Sequence, residues 1–411
     1  MSDVQKTVLA NGVRVLTERI DAVGSAAIGV WCRTGSRHEL PGEEGITHFI
    51  EHMLFKGTAR RTSHQIAEEI EGRGGHLNAF TDKEQTCYYC RVLAEDSANG
   101  LDVLTDMLTN AALDAEELER EKGVVLEEIK RGEDEPGDLV HELHLQGLWP
   151  GHRLGDPIIG TRETVSGFSR DDLVTYMGRR YRAENVLVSV AGKIDHQAVV
   201  DQVQSVLGSV PSGLEDGEAT RPSPTGGDQY IGKEVEQVHF CIGGQGVSYY
   251  DDDFYTAVVL DGVLGGGMSS RLFQEVREKR GLAYAIGSYM LTYTHGGAFT
   301  IYGGTGRETW PELQKVVRTE LDRLIQDGPT QAETEKVQRQ IAGNLVLGLE
   351  GMNARMHRMA KNEFIHGRQI PMEETVEKIR AVTPAQMQAF AARALAPEAM
   401  RTTAIGPAQR A

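Results

Sequence analysis

His48-Phe49-Ile50-Glu51-His52 puts two imidazoles and a carboxylate within five consecutive residues. Imidazole nitrogen is a favoured zinc ligand, and a carboxylate that is not itself a ligand can take a proton from a water beside the metal. The order His-x-x-Glu-His is the inverted zincin motif. A lone histidine is usually structural, whereas this pair with an intervening glutamate is a specific signal. It predicts metal-assisted hydrolysis, with His48 and His52 holding the ion and Glu51 acting as base.

The motif works only if one element presents both imidazoles on the same side. Phe49, Ile50, Met53, Leu54 and Phe55 recur at three- and four-residue spacing, which predicts a helix over 47–56 ended by Gly57. Four positions along a helix bring the second imidazole to within ~40° of the first, one turn further on. A catalytic zinc site needs a third protein ligand and keeps one position for water. The acid-rich stretch 115–131 reads as a second helix, with an apolar stripe of Leu118, Val124, Val125 and Ile129. Glu128, Glu121 and Glu117 fall near one edge of the stripe and Glu127 points away. The helical angle favours Glu128 or Glu121 and leaves those two open, because they stand two turns apart on one face. Without the His pair this helix would read as an ordinary solvated acidic surface.

The surrounding chain shows a faint internal repeat. At an offset of 210, Ser25 to Thr58 lies over Val235 to Met268, and both segments read as strand, loop and helix. Ile28, Val30 and Cys32 match Val238, Phe240 and Ile242 on the alternating positions of a buried strand face. Each copy continues with two strands and a helix: 76–92 and 98–113 in the first, 283–302 and 311–326 in the second. The segment 211–228, with Pro211, Pro222 and Pro224, reads as a linker. The expected architecture is α+β: two homologous domains, 1–210 and 229–411, each a mixed or antiparallel sheet packed with helices.

In the second copy, Val258, Asp261 and Gly262 stand where His48, Glu51 and His52 stand in the first, so only the first can hold a metal this way. The run Leu264-Gly265-Gly266-Gly267-Met268-Ser269-Ser270-Arg271-Leu272-Phe273 lacks the Gly-Lys-Ser/Thr ending of a phosphate loop.

Composition sets outer limits. In 411 residues the charge of −17 argues against a nucleic-acid partner. It reads as solubility, with a sharper alternative in which acid lining a cavity attracts basic peptides; added salt would then selectively weaken their cleavage. No run of about 18 apolar residues predicts a membrane span, and the start reads as that of a cytoplasmic protein. Four cysteines do not make a disulfide framework. Cys87 and Cys90 sit three apart in a predicted strand, so their thiols face opposite sides and are structural. His64, His141, His144 and His152 read as structural or surface residues.

At these residues the chain resembles the pitrilysin/insulinase superfamily of zinc peptidases, in particular its processing-peptidase-like branch. The resemblance spans nearly the whole chain and rests on Gly45-Ile46-Thr47-His48-Phe49-Ile50-Glu51-His52-Met53-Leu54-Phe55-Lys56-Gly57-Thr58, on Gly75-His76-Leu77-Asn78-Ala79-Phe80-Thr81, and on 121–129. It implies one zinc ion per chain and Glu128 as third ligand, since 75 residues separate His52 from Glu128. It implies that Glu121 supports the site from the outer shell. Asn78, Ala79 and Phe80 match an edge strand that pairs with the substrate backbone. Arg277 and Tyr284 match a pair that holds substrate and stabilises the tetrahedral intermediate, with Arg280 competing for the arginine role.

The resemblance further implies a zinc endopeptidase acting on short or unfolded polypeptides inside a clam-shell chamber. Two such domains make half a chamber, so a homodimer is expected. Two other readings compete: a non-catalytic or partner-dependent subunit of a heterodimer, and a metal-dependent hydrolase of a non-peptide amide. The complete zinc set speaks against the first, and the edge strand has no use in the second.

Overall fold

The computed structural model describes residues 4–213 and 219–408. Its first sheet contains β1 (Val4–Val8), β2 (Arg14–Arg19), β3 (Ser25–Cys32), β4 (His76–Thr81), β5 (Thr86–Leu93) and β6 (Val186–Gly192), in the order β1-β2-β6-β3-β5-β4. The second contains β7 (Gly227–Gly232), β8 (Gln237–Gln245), β9 (Ala283–Tyr293), β10 (Gly296–Gly306) and β11 (Arg401–Gly406), in the order β7-β11-β8-β10-β9. β2 runs parallel to β6, and β7 to β11, while the remaining pairings are antiparallel. Both sheets are therefore mixed, as the α+β reading expects.

Strand alternation decides what each sheet face buries. On β3, Ile28, Val30 and Cys32 point into the larger core with Phe49, Ile50 and Met53 of the helix Ile46–Leu54, while Ala27 and Trp31 face the other way. On β5, Cys90 joins the first group and Cys87 the second, so the two thiols lie on opposite faces. All four cysteines are buried and free. Val238 and Phe240 on β8 occupy the matching places in the second core.

The compact units are not the two halves of the sequence. One gathers the chain through Lys130, the stretch from Asp156 into 211–228, and Leu347–Pro371; the other takes Arg131–Gly155, the chain from Ala219 to Val346, and everything from Met372. Residues 214–218 of the expected linker lie outside the described residues. The exchange has a packing cause. Each sheet is covered by helices on one face, and its other face still holds apolar side chains that need a cover. In the first unit the helix Met352–His366 supplies it, laying Met352, Met356, Met359 and Ala360 on Leu16, Ala27, Trp31 and Leu187. In the second, the helix Pro136–Leu148 puts Val140 against Cys241 and Ile405. Among the described residues no helix is long and apolar enough to cross a membrane.

Candidate metal centre

The helix Ile46–Leu54 carries both histidines. Its buried face is Ile46, Phe49, Ile50, Met53 and Leu54, each at most 1 % exposed, and this fixes which way His48, Glu51 and His52 point. It ends two residues before the expected 56, where Phe55 turns its N–H to the His52 carbonyl. Gly45 precedes the helix at φ +92°, a left-handed conformation that favours glycine and leaves no side chain to cap the first turn. Glu39 does that work from a distance: its carboxylate accepts from the Gly45 N–H at 2.9 Å and the Thr47 N–H at 3.0 Å. Burial pushes the Glu39 carboxyl up to about 7, against those two bonds.

The helix Ala115–Asp134 brings the acids. Its buried positions are Leu118, Glu121, Val125 and Ile129; Val124, expected in the apolar stripe, is instead 51 % exposed. Val124 neighbours Val125 in sequence but lies about 100° around the helix from it, off the stripe. Glu128 is half exposed, and its Oε2 stands 3.9 Å from His48 Nε2 and 3.7 Å from His52 Nε2. Ligand atoms from His48, His52 and Glu128 all lie within 4.8 Å of one another, and this is the one such three-residue group among the described residues. Two ligands at ~2.1 Å from a tetrahedral zinc ion stand about 3.4 Å apart, so the donor set fits the ion with small adjustment. Glu127 points out to Lys130.

Glu121 is buried beneath this group. It meets His52 Nδ1 at 2.8 Å and takes a bond from Lys56 Nζ at 2.6 Å, which orients the ring with Nε2 towards Glu128. Burial alone would raise the Glu121 carboxyl, but His52 and Lys56 outweigh it and hold it below its ordinary value. For His52 burial lowers the pKa, and Glu121 followed by Glu128 and Glu51 turns the balance upward. His48 is pushed down to about 4 by burial and by His52, so it is neutral, with a lone pair to donate, at physiological pH. Its buried Nδ1 has no hydrogen-bond partner among the described residues.

Glu51 is raised above the usual carboxylate range by burial, against a bond from Thr81 and the proximity of His52, with Glu128 adding to the rise. Thr81 Oγ1 donates to Glu51 Oε2 at 2.5 Å. Thr81 ends β4, whose outer edge is unpaired in the sheet and which carries Asn78, Ala79 and Phe80. Asn78 Oδ1 accepts from the Ala79 N–H at 2.8 Å. Phe80 stacks on His357 and meets Trp31 edge-on, so its side chain serves the packing.

Arg277 and Tyr284 belong to the second unit and meet each other there. The guanidinium lies 4.5 Å from the centre of the Tyr284 ring and 4.8 Å from that of Phe273, and Tyr284 is 80 % exposed. Arg277 sits in a π-helical turn, Phe273–Glu278, a local form often found at functional sites. Arg280 is tied to Glu275 at 2.7 Å. Of the remaining histidines, His64 is exposed beside Glu68, His141 meets Tyr289 at 2.7 Å, His144 is buried, and His152 reaches the Thr220 carbonyl.

Glu39, Lys56 and Thr81 have places here that the sequence did not assign. Lys56 and Thr81 stand inside the quoted motifs, yet a single hydroxyl or ammonium carries no spacing signature. Glu39 acts across a loop.

Fold and site together describe a two-sheet α+β chain with a three-residue group that could hold a metal ion, and comparison with known proteins gives its family. Residues 14–162 match the model of insulinase, peptidase family M16, and residues 167–341 match that of the peptidase M16 inactive domain. The Bacillus subtilis protein YmxG, described as an uncharacterized zinc protease, is 43% identical over 384 residues, covering 92% of both chains. A Rickettsia bellii protein of the same description is 40% identical over 403 residues, covering 97% of this chain and 96% of its own. A protease from Helicobacter pylori superposes with a TM-score of 0.92 at 20% identity, over 99% of this chain and 100% of its own. A Pseudomonas fluorescens structure described as a peptidase M16 inactive domain gives 0.90 at 22%, over 99% of both chains. These two likenesses speak to the fold. The chain belongs to the insulinase family of peptidases, M16.

Proposed function

We propose that this chain is a zinc metalloendopeptidase that hydrolyses peptide bonds in short or unfolded polypeptides. The observation that carries the reading is the convergence of His48, His52 and Glu128, with a half-buried Glu51 close enough to His52 and Glu128 to feel their charge. His48, His52 and Glu128 would hold the ion. When bound, zinc supplies Lewis-acid chemistry, lowering the pKa of a water from ~15.7 towards ~7.

Glu51 takes the proton of the attacking water while the water oxygen bonds to the carbonyl carbon, and returns that proton to the leaving amine as the C–N bond breaks. Burial raises its pKa, which makes it a stronger base than an exposed carboxylate. Glu121 keeps His52 in one tautomer. β4 offers its free edge, with Asn78, Ala79 and Phe80, to the backbone of an extended peptide. Arg277 and Tyr284 are the substrate-holding groups of the second unit. Because one chain carries both sets of residues, we read the working assembly as a homodimer, which light scattering checks.

The deciding experiment is digestion of a mixture of unstructured peptides by zinc-loaded wild type and by Glu51→Gln, followed by mass spectrometry. Cleavage by the wild type alone supports the reading and the role of Glu51. Cleavage by neither moves a partner-dependent subunit to the front.

A further inference from the structure

Thr81 and Glu51 have a counterpart in the second unit. There Ser288 Oγ, on the edge strand β9, donates to Asp261 Oδ1 at 2.6 Å. Asp261 occupies the helix position that matches Glu51, and β9 stands at the rim of its sheet as β4 does in the first. A hydroxyl on the edge strand is thus bonded to an acid on the facing helix in both units, including the one without metal ligands. The device belongs to the scaffold, where it ties edge strand to helix. In the first unit the tied acid is the proposed base.

The tie matters because a glutamate's last torsion is broad, so nothing intrinsic to Glu51 fixes its carboxylate plane. An O–H···O⁻ bond of 2.5 Å is short and charge-assisted, and it occupies one oxygen while leaving the other for a proton. Thr81 is itself held: it faces Thr86 across the β4–β5 pair, and Thr86 Oγ1 donates to the Thr34 carbonyl at 2.9 Å.

We propose that Thr81 is a positioning residue, whose hydroxyl sets the orientation of the Glu51 carboxylate and fixes it relative to the strand edge that receives the peptide. This rests on the peptidase reading. Thr81→Val keeps shape and removes the hydroxyl, whereas Thr81→Ser keeps the hydroxyl. With zinc loaded, Thr81→Val is expected to lose ~10–100-fold in kcat, with KM and zinc Kd within about twofold of wild type, and Thr81→Ser to recover most of kcat. An unchanged kcat in Thr81→Val, a loss that appears in KM or zinc Kd instead, or failure of Thr81→Ser to recover would overturn the proposal.

Crystal structures of the two variants give a readout that needs no turnover. The Glu51 carboxylate should rotate away from its wild-type place in Thr81→Val and stay in Thr81→Ser. If the wild type cleaves no peptide, the peptidase reading fails on its own and these structures still judge Thr81, since an unmoved carboxylate in Thr81→Val refutes its positioning role. Should Thr81→Val not fold, Thr81→Ala takes its place in both measurements.

Discussion

The helix Ile46–Leu54 beside β4 and the helix Phe254–Leu264 beside β9 are one local design put to two uses. Both pack an apolar face on the sheet and both tie an acid to the edge strand. They part at the ligand positions. His52 meets Glu121, the seventh residue of the helix Ala115–Asp134; in the second unit Gly262 meets Val337, the seventh residue of the helix Gln331–Gly348. A Cβ at Gly262 would run into the Val337 side chain. The second unit therefore lacks the ligands and also has their space filled. A metal centre of this kind needs room and outer support as well as the right residue types.

The sharpest way to break this comparison is to exchange the two acids for amides. Glu51→Gln should lose ~10²–10⁴-fold in kcat with zinc still bound, because the base is removed and the ligands are not. Next in size, Glu121→Gln should weaken zinc binding by ~10–100-fold, read by competition with a chelator. An unchanged zinc affinity would mean that Glu121 only packs.

Restoring the ligands to the second unit, with Val258→His and Gly262→His together, should bind no further zinc and should cost about 1–3 kcal/mol of stability through overpacking against Val337. Metal analysis and thermal melting check both halves, and a second bound ion would end the argument from space. The last effect belongs to Asp261→Asn. Burial pushes Asp261 up to about 6 in the fold from an ordinary 3.8, so its contribution is fully present below pH ~3.8 and is lost as pH rises to ~6. Asparagine does not titrate there, and melts from pH 4 to 7 should show the variant gaining on the wild type by about 2 kcal/mol.

What was legible in the sequence follows from which signals have a period. The His pair, its helix and the alternating faces of β3 and β8 each repeat at a spacing that geometry dictates, and they could be read directly. Glu121 and Glu128 could not be separated by angle, because both lie on the helix face that meets the histidines: Glu121 meets His52 Nδ1 and Glu128 faces the Nε2 atoms of His48 and His52. Only the spacing shared with a known family told them apart. The apolar faces of Pro136–Leu148 and Met352–His366 announce that they will be buried, yet nothing in a stripe says which sheet it covers. Thr81 and Lys56 act through single contacts and Glu39 through two bonds across a loop, and contacts of that kind have no period.

The cover that Met352–His366 lays on Trp31 and Leu16 sets a condition on the birth of the protein. Domains generally begin to fold from the N-terminus as they leave the ribosome, but here the first sheet keeps one face bare until about nine-tenths of the chain has been made. A fragment ending before residue 352 would carry the complete zinc motif and still present Trp31, Ala27 and Leu187 to solvent, a surface inviting aggregation rather than catalysis.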